Sequence, residues 1–162
     1  MASSRKTIGD LGEILTTFFL IKQGFQTVWV GNNNLPYDII VPLPDEKISQ
    51  KPIAISVKTR QKKKWKGVPP NENTLKKLNV KLKEWDFWIA VMLYGFKKNE
   101  MWFKIYLIPS EIITEDWFVG KKRQISFKKI KMESKKPKTK IRIFTSKNYE
   151  EPTSETKKKN QA

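Results

Sequence analysis

Two apolar runs, DFWIAVMLYG at 86–95 and MWFKIYLIP at 101–109, are separated by only five residues, FKKNE. Each is too short to cross a bilayer as a helix and too evenly apolar for a helix with one wet face. Both are rich in β-branched and aromatic residues, so they read as the two strands of a β-hairpin at the centre of a sheet. A hairpin this apolar has to be covered, and the flanking segments must supply the cover.

From Thr7 to about Gln23, Ile8, Leu11, Leu15, Phe18 and Phe19 recur at helical spacing, and Gly24 supplies the stop. The helix is apolar nearly all round, with Leu20 and Ile21 extending it, which implies cover on its second face too. FQTVWV alternates as a strand does, GNNNLP is turn chemistry, and YDIIVPL and PIAISVKTR follow as further strands. In GVPPNENTLKKLNVKLKEW, loop residues precede a short amphipathic helix marked by Leu75, Leu78 and Leu82. After the hairpin, PSEIITEDWF begins a short helix at Ser110, and QISF and KIRIF are late strands. This order predicts one α/β domain over 1–145, with a mixed central sheet of about five strands flanked by helices. The polar, charge-clustered residues 146–162 predict a disordered basic tail.

With 33 Lys and Arg against 16 Asp and Glu, the formal charge is +17, and there is no histidine to titrate near neutral pH. The excess is uneven, since residues 121–162 hold 15 basic side chains against 4 acidic ones. Such a chain favours polyanions. The absence of cysteine excludes disulfides and thiolate zinc sites, and without histidine zinc is left with oxygen ligands alone. A metal here is therefore hard, Mg²⁺ or Mn²⁺ on carboxylates. No apolar run reaches span length, and MASSRKTIGDLGE places charges where a signal peptide needs its apolar segment. The expectation is a soluble, cytoplasmic protein.

On a strand over IAISVKTR, Ile53, Ile55 and Val57 share one face while Ala54, Ser56 and Lys58 share the other. In the strand before it, Asp38 stands among Tyr37, Ile39, Ile40 and Val41, where a carboxylate is costly unless paired or bound to a cation. Antiparallel pairing across the short connection brings Asp38 toward Ser56 and Lys58. Three readings fit that neighbourhood: an acid and a lysine that do chemistry, a plain ion pair, or an aspartate capping its own turn after NNNLP.

The series TIGDLGE in a first helix, then GF and a strand, then YDIIV, then IAISVKTR resembles the core of the PD-(D/E)XK nuclease superfamily, which includes archaeal Holliday-junction resolvases, many restriction enzymes and some homing endonucleases. The resemblance spans about the first 60 residues and continues loosely through DFWIAVMLYG and WFKIYLIPSEI. It implies a restriction-endonuclease-like core and a DNA endonuclease that hydrolyses phosphodiesters with Mg²⁺ or Mn²⁺. Matched position by position, it puts the helix glutamate at Glu13, the first metal-binding aspartate at Asp38, the lysine at Lys58 and a carbonyl ligand at Val57.

Two residues before that lysine, where the family carries an acid or glutamine, this sequence has Ser56, a neutral and weaker ligand. The departure opens an alternative, a catalytically inactive nuclease fold kept as a DNA- or RNA-binding module. By the same likeness the partner is double-stranded or branched DNA and the protein a homodimer or higher oligomer, because two strands need two sites. On a helical wheel, however, Glu13 lies opposite Leu11, Leu15 and Phe18 with Asp10 beside it, the place of an ordinary solvated carboxylate.

Six of the nine residues from Lys58 to Lys66 are basic. Arg60, Lys62, Lys63, Lys64 and Lys66 read as nucleic-acid-binding residues, because each cation placed on a phosphate releases counterions. Trp65 among them is either a stacking platform for a base or sugar or a core residue. A solvated lysine-rich loop is the plainer reading of the cluster, and a purely structural RNA-associated protein follows from charge alone. The later segment KKRQISFKKIKMESKKPKTKIRIF alternates Lys with Ile and Phe in places, as a strand with one basic face does, and is a second candidate phosphate surface.

Overall fold

The computed structural model describes residues 5–31, 34–61 and 65–149. Helix α1 (Arg5–Lys22) leads into β1 (Val28–Trp29), β2 (Ile39–Val41) and β3 (Ile53–Gln61), then β4 (Gly67–Asn71) and α2 (Glu72–Lys81). The hairpin follows as β5 (Asp86–Lys97) and β6 (Glu100–Pro109), and the chain ends its described part with β7 (Phe118–Val119), β8 (Gln124–Ser126), α3 (Phe127–Ser134) and β9 (Arg142–Thr145). Six strands form a mixed sheet in the order β1-β2-β3-β5-β6-β9, in which only β3 and β5 run parallel. The expected α/β architecture with a mixed, helix-flanked sheet is therefore present, with six strands instead of five.

The hairpin closes through Lys98 and Asn99 at φ 51 and 66. Two consecutive positive φ values are the mark of a type I′ turn, whose twist matches that of the strands it joins. Side chains then alternate strictly. Ile53, Ile55, Trp88, Ala90, Met92, Ile105 and Leu107 face α1, packed with Leu20 and Phe25. Ala54, Phe87, Ile89, Val91, Tyr106 and Ile108 face the other way, against Leu75 of α2 and Ile130 of α3.

Helix α1 ends where the sequence places the stop. Gly24 has φ +93, its N–H donates to the carbonyl of Ile21, and the Phe25 N–H donates to that of Leu20, which is a Schellman cap. The face that packs on the sheet is not the one the apolar spacing suggests. Gly12, Thr16 and Leu20 are buried, whereas Leu11, Ile14, Phe18 and Ile21 are exposed, so the second face is uncovered.

GVPPN is a strand, β4, where loop was expected; together with β8 and β7 it forms a second, three-stranded sheet. β4 is an edge of that sheet, so the missing proline N–H groups cost no ladder on the open side. The helix expected from Ser110 is instead two separate 3-10 turns, Ser110–Ile112 and Glu115–Trp117, parted by extended Ile113 and Thr114. FKKIKMES is helix α3, not a strand with a basic face: Ser126 caps it by accepting from the Lys129 N–H, and buried Phe127 and Ile130 recur at three, the helical interval. Residues 146–149 extend the packed body past 145, because the Ser146 N–H donates to the Phe103 carbonyl, Asn148 to that of Met101, and Tyr149 lies against Trp102. The rest of the expected tail, 150–162, lies outside the described residues. Among the described residues no helix is long and apolar enough to cross a membrane.

Candidate active site

The site is built where the β2–β3 ladder stops. The ladder ends with Ile39 opposite Ile55, and Asp38 follows at the open end. Asp38 is braced three ways: its N–H donates to the Ile55 carbonyl (2.8 Å), its carbonyl accepts from the Val30 N–H (2.9 Å), and its Oδ2 accepts from the Val57 N–H (2.8 Å). The carboxylate takes the place of the next ladder acceptor. Because Ile55 and Val57 point their backbone groups to the same edge of β3, the Val57 carbonyl is directed to this end as well.

Helix α1 delivers the second acid. It crosses β3 at Gly12, where an added Cβ would stand 2.0 Å from Oγ1 and 3.2 Å from Cβ of Thr59. Thr16 below it turns its hydroxyl inward to the Gly12 carbonyl (2.8 Å), which removes a polar group from the interface. At that depth the next residue, Glu13, reaches Asp38. Gly12, Thr59 and Trp29 were not singled out by the sequence reading. A glycine inside a helix costs about 1 kcal/mol against alanine, and that cost is the signal that could have marked Gly12 as a close-approach point.

The contact shows in the chemistry of Glu13. Burial, then the charge of Asp38 and a hydrogen bond between the two carboxyls, pushes Glu13 up to about 7, with Asp10 adding a little and a hydrogen bond from Trp29 pulling the other way. Two carboxyls in hydrogen-bond contact, with no basic side chain in an ion pair with either among the described residues, form a site short of positive charge. An all-oxygen set of two carboxylates and a backbone carbonyl fits a hard dication such as Mg²⁺, which keeps several waters of its own. No group of three or more acidic residues suited to a metal occurs among the described residues.

The other expected residues divide. Ser56 is buried at 5% exposure and Lys58 half-buried; both leave β3 on the Ala54 side, away from α1. Lys58 makes no ion pair with Glu13 or Asp38 among the described residues, so the plain ion-pair reading of Asp38 does not hold. Arg60 is exposed, with its guanidinium 5.6 Å from the Trp65 ring centroid, and Lys66 is exposed beyond it. Trp65 itself is 8% exposed and stacked on Phe127, so it packs the core and cannot stack a base. Lys62, Lys63 and Lys64 lie outside the described residues.

No protein-family model matches the sequence, and no curated protein matches it. Among solved structures the chain is similar to Archaeoglobus fulgidus Hjc, a Holliday junction resolvase from an archaeal hyperthermophile. The identity is 14% and the TM-score 0.49, with 76% of this chain and 92% of that chain covered.

Proposed function

We propose that the chain is a PD-(D/E)XK-type endonuclease acting on double-stranded or branched DNA with Mg²⁺ or Mn²⁺. One observation carries the reading: Glu13 from α1 meets Asp38 at the open end of β2, beside the backbone of Val57 and one residue from Lys58. In this reading Glu13, Asp38 and the Val57 carbonyl hold the ion, which when bound neutralises charge at the phosphodiester and acidifies a water. Lys58, on its flexible four-carbon stem, orients the attacking water or stabilises charge developing at phosphorus. Arg60, Lys66 and the neighbouring Lys62, Lys63 and Lys64 hold the substrate backbone without reading bases. The protein acts as a soluble cytoplasmic homodimer or higher oligomer, since cutting two strands takes two sites.

A second reading is favoured by Ser56, whose buried hydroxyl leaves the acidic set at two carboxylates. It keeps the basic surface and drops the hydrolysis, leaving a DNA- or RNA-binding module. Incubation of supercoiled plasmid, branched DNA and single strands with Mg²⁺ or Mn²⁺ separates the two. The nuclease reading expects cleavage that Asp38→Ala and Lys58→Ala abolish. Binding with a steep salt dependence and no cleavage under either metal would establish the module instead.

A further inference from the structure

We infer that α3 is a phosphate-contacting wall for duplex DNA, continuous with the basic segment that follows β3. Lys128, Lys131 and the C-cap residue Lys135 recur at steps of three and four, so they align as one stripe, and all three are exposed. The opposite flank of the helix is already neutralised: Lys129 pairs there with Asp116 and Glu133, and Lys136 with Glu133. Glu133 is the one acid of α3, and it is engaged on that flank. Lys128 and Lys135 form no ion pair among the described residues, so the stripe keeps its charge.

The second sheet fixes where this stripe lies. β4 begins directly after Lys66 and pairs with β8 in a register that sets Gly67 opposite Ser126, the N-cap of α3. One step on, the Phe127 N–H donates to the Lys66 carbonyl (3.0 Å). Gly67 permits the approach, because a Cβ there would stand 2.8 Å from Cβ of Gln124. Side chains continue the link: the Arg60 guanidinium lies 5.6 Å from the Trp65 ring centroid, Trp65 stacks on Phe127 at 5.8 Å, and the Lys131 ammonium lies 5.1 Å from the Phe127 ring. Both rings are buried, so they tie the cations together from beneath and do not offer themselves to bases. Trp65, Phe127 and Ala54 belong to one core cluster, so α3 covers the face of the sheet from which Lys58 emerges.

Charge and spacing select the occupant. From Lys128 to Lys135 the helix path rises roughly 10 Å, at ~1.5 Å per residue. Over that interval a duplex presents about six phosphates, at about one per 1.7 Å of axis. A phosphate row that passes Arg60 and Lys66 therefore meets the stripe as well. An anionic membrane is disfavoured, because Met132 is the only large apolar side chain that α3 exposes, too little to anchor it in an acyl layer. Lysine is a point charge, so the wall positions the duplex without reading its sequence. This role rests on the DNA partner proposed above and does not depend on hydrolysis.

Fluorescence anisotropy of a labelled duplex two helical turns long, across a salt series without divalent metal, tests it on the full chain. The wild type is compared with Lys128→Ala/Lys131→Ala/Lys135→Ala and with a charge-matched control on α2, Lys76→Ala/Lys77→Ala/Lys81→Ala, whose lysines are likewise exposed. Circular dichroism confirms folding. Removing the α3 stripe is expected to lower the slope of log affinity against log salt by about 2.7, at about 0.9 per phosphate contact, and removing the α2 lysines to lower it by less than about 0.9. Lys128→Gln/Lys135→Gln leaves the contact of Lys131 with Phe127 alone and serves if the triple variant does not fold, with an expected fall of about 1.8. Equal falls from the α2 and α3 variants, or no fall from α3, overturn the inference. So does a wild type that binds no duplex at low salt, which removes the DNA reading with it. Plasmid cleavage with Mg²⁺ on the same samples keeps hydrolysis apart: the expected slopes without cleavage support the wall and count against the nuclease, and cleavage with an unchanged slope in the α3 variant does the reverse.

Discussion

Gly12 of α1 lies against Thr59 of β3 so closely that a Cβ at position 12 would stand 2.0 Å from Thr59 Oγ1. Threonine on a strand is stiff at χ1, so the clash cannot be relieved by a simple rotamer change and the helix has to rise. Gly12→Ala is expected to cost about 1–3 kcal/mol and to lift Glu13 off Asp38. Its melting temperature should fall, and the rise produced by Mn²⁺ should vanish. Adding Thr59→Ala removes the clashing Oγ1 and restores most of both. Thermal melts with and without metal on the single and double variants check this; a Gly12→Ala protein that keeps its full metal response would show that helix depth does not set the site.

Thr59 carries a second consequence. Its Oγ1 is buried without a hydrogen-bond partner among the described residues. Such a hydroxyl forfeits about 1–3 kcal/mol of desolvation, whereas a methyl group in its place does not. Thr59→Val is therefore expected to melt at or above the wild type, since it keeps the shape and drops the unmet polarity. A clear fall in melting temperature would mean that the hydroxyl is satisfied in solution.

Glu13 gives the stability a pH dependence of known sign. The folded protein keeps this proton up to about 7, while an unperturbed glutamate releases it near 4.5. The folded state binds more protons between those values, so the contribution is whole below 4.5 and is lost as pH rises through about 7. Glu13 is partly exposed, and screening holds the effect to on the order of 1 kcal/mol. A dication competes with that proton, so the metal-induced rise in melting temperature should be small at about pH 5.5 and larger at about pH 8.5. Asp38→Asn keeps an acceptor for the Val57 N–H and removes the charge, so it should flatten both trends while the protein stays folded. An equal metal shift at both pH values would separate the carboxyl pair from ion binding.

The hairpin, the end of α1 at Gly24 and the antiparallel pairing of the Asp38 strand with β3 were legible in the sequence, because each rests on local chemistry: β-branched runs, a glycine stop, a short connection. The orientation of α1 was not. Apolar spacing nominates Leu11 and Phe18 as the inward face, but the fold seats Gly12, Thr16 and Leu20 there, because close approach to β3 selects small residues over large ones. That choice turns Glu13 from an apparent solvated position into a partner of Asp38. Likewise the alternation of Lys with Ile and Phe suggested a strand, whereas the three-residue step from Phe127 to Ile130 suits a helix, and the packing of Phe127 on Trp65 and Tyr106 belongs to α3. The mixed sheet is a consequence of local pattern, whereas the site depends on which long-range contacts win.

The basic surface should divide into lysines that are free to meet phosphate and lysines already engaged. Lys129 is paired with Asp116 at 3.3 Å and Glu133 at 3.4 Å, whereas Lys66 and Lys128 are exposed and form no ion pair among the described residues. Lys66→Ala and Lys128→Ala are each expected to lower the slope of log affinity against log salt by about 0.9 on duplex DNA, and Lys129→Ala to leave it unchanged. Titrations across a salt series measure the slopes directly. Equal losses from all three would indicate a diffuse effect of net charge and no defined contact surface.

Ser56 offers the sharpest test of the site, because it immediately precedes Val57, whose N–H donates to Asp38, and is almost fully buried. A carboxylate installed there by Ser56→Glu has no cation to meet in metal-free protein and adds its charge to that of Asp38, so the fold should lose about 2–4 kcal/mol. If the position opens onto the ion held by Glu13 and Asp38, the same side chain becomes a third hard ligand. Mn²⁺ is then expected to recover most of the lost stability, to bind more tightly than in the wild type, and to raise whatever plasmid cleavage the wild type shows. Recovery without increased cleavage would confine the gain to binding and favour the module. A loss that no metal repairs would place position 56 outside the ion's reach and break the match of Ser56 to the acidic position of the nuclease pattern.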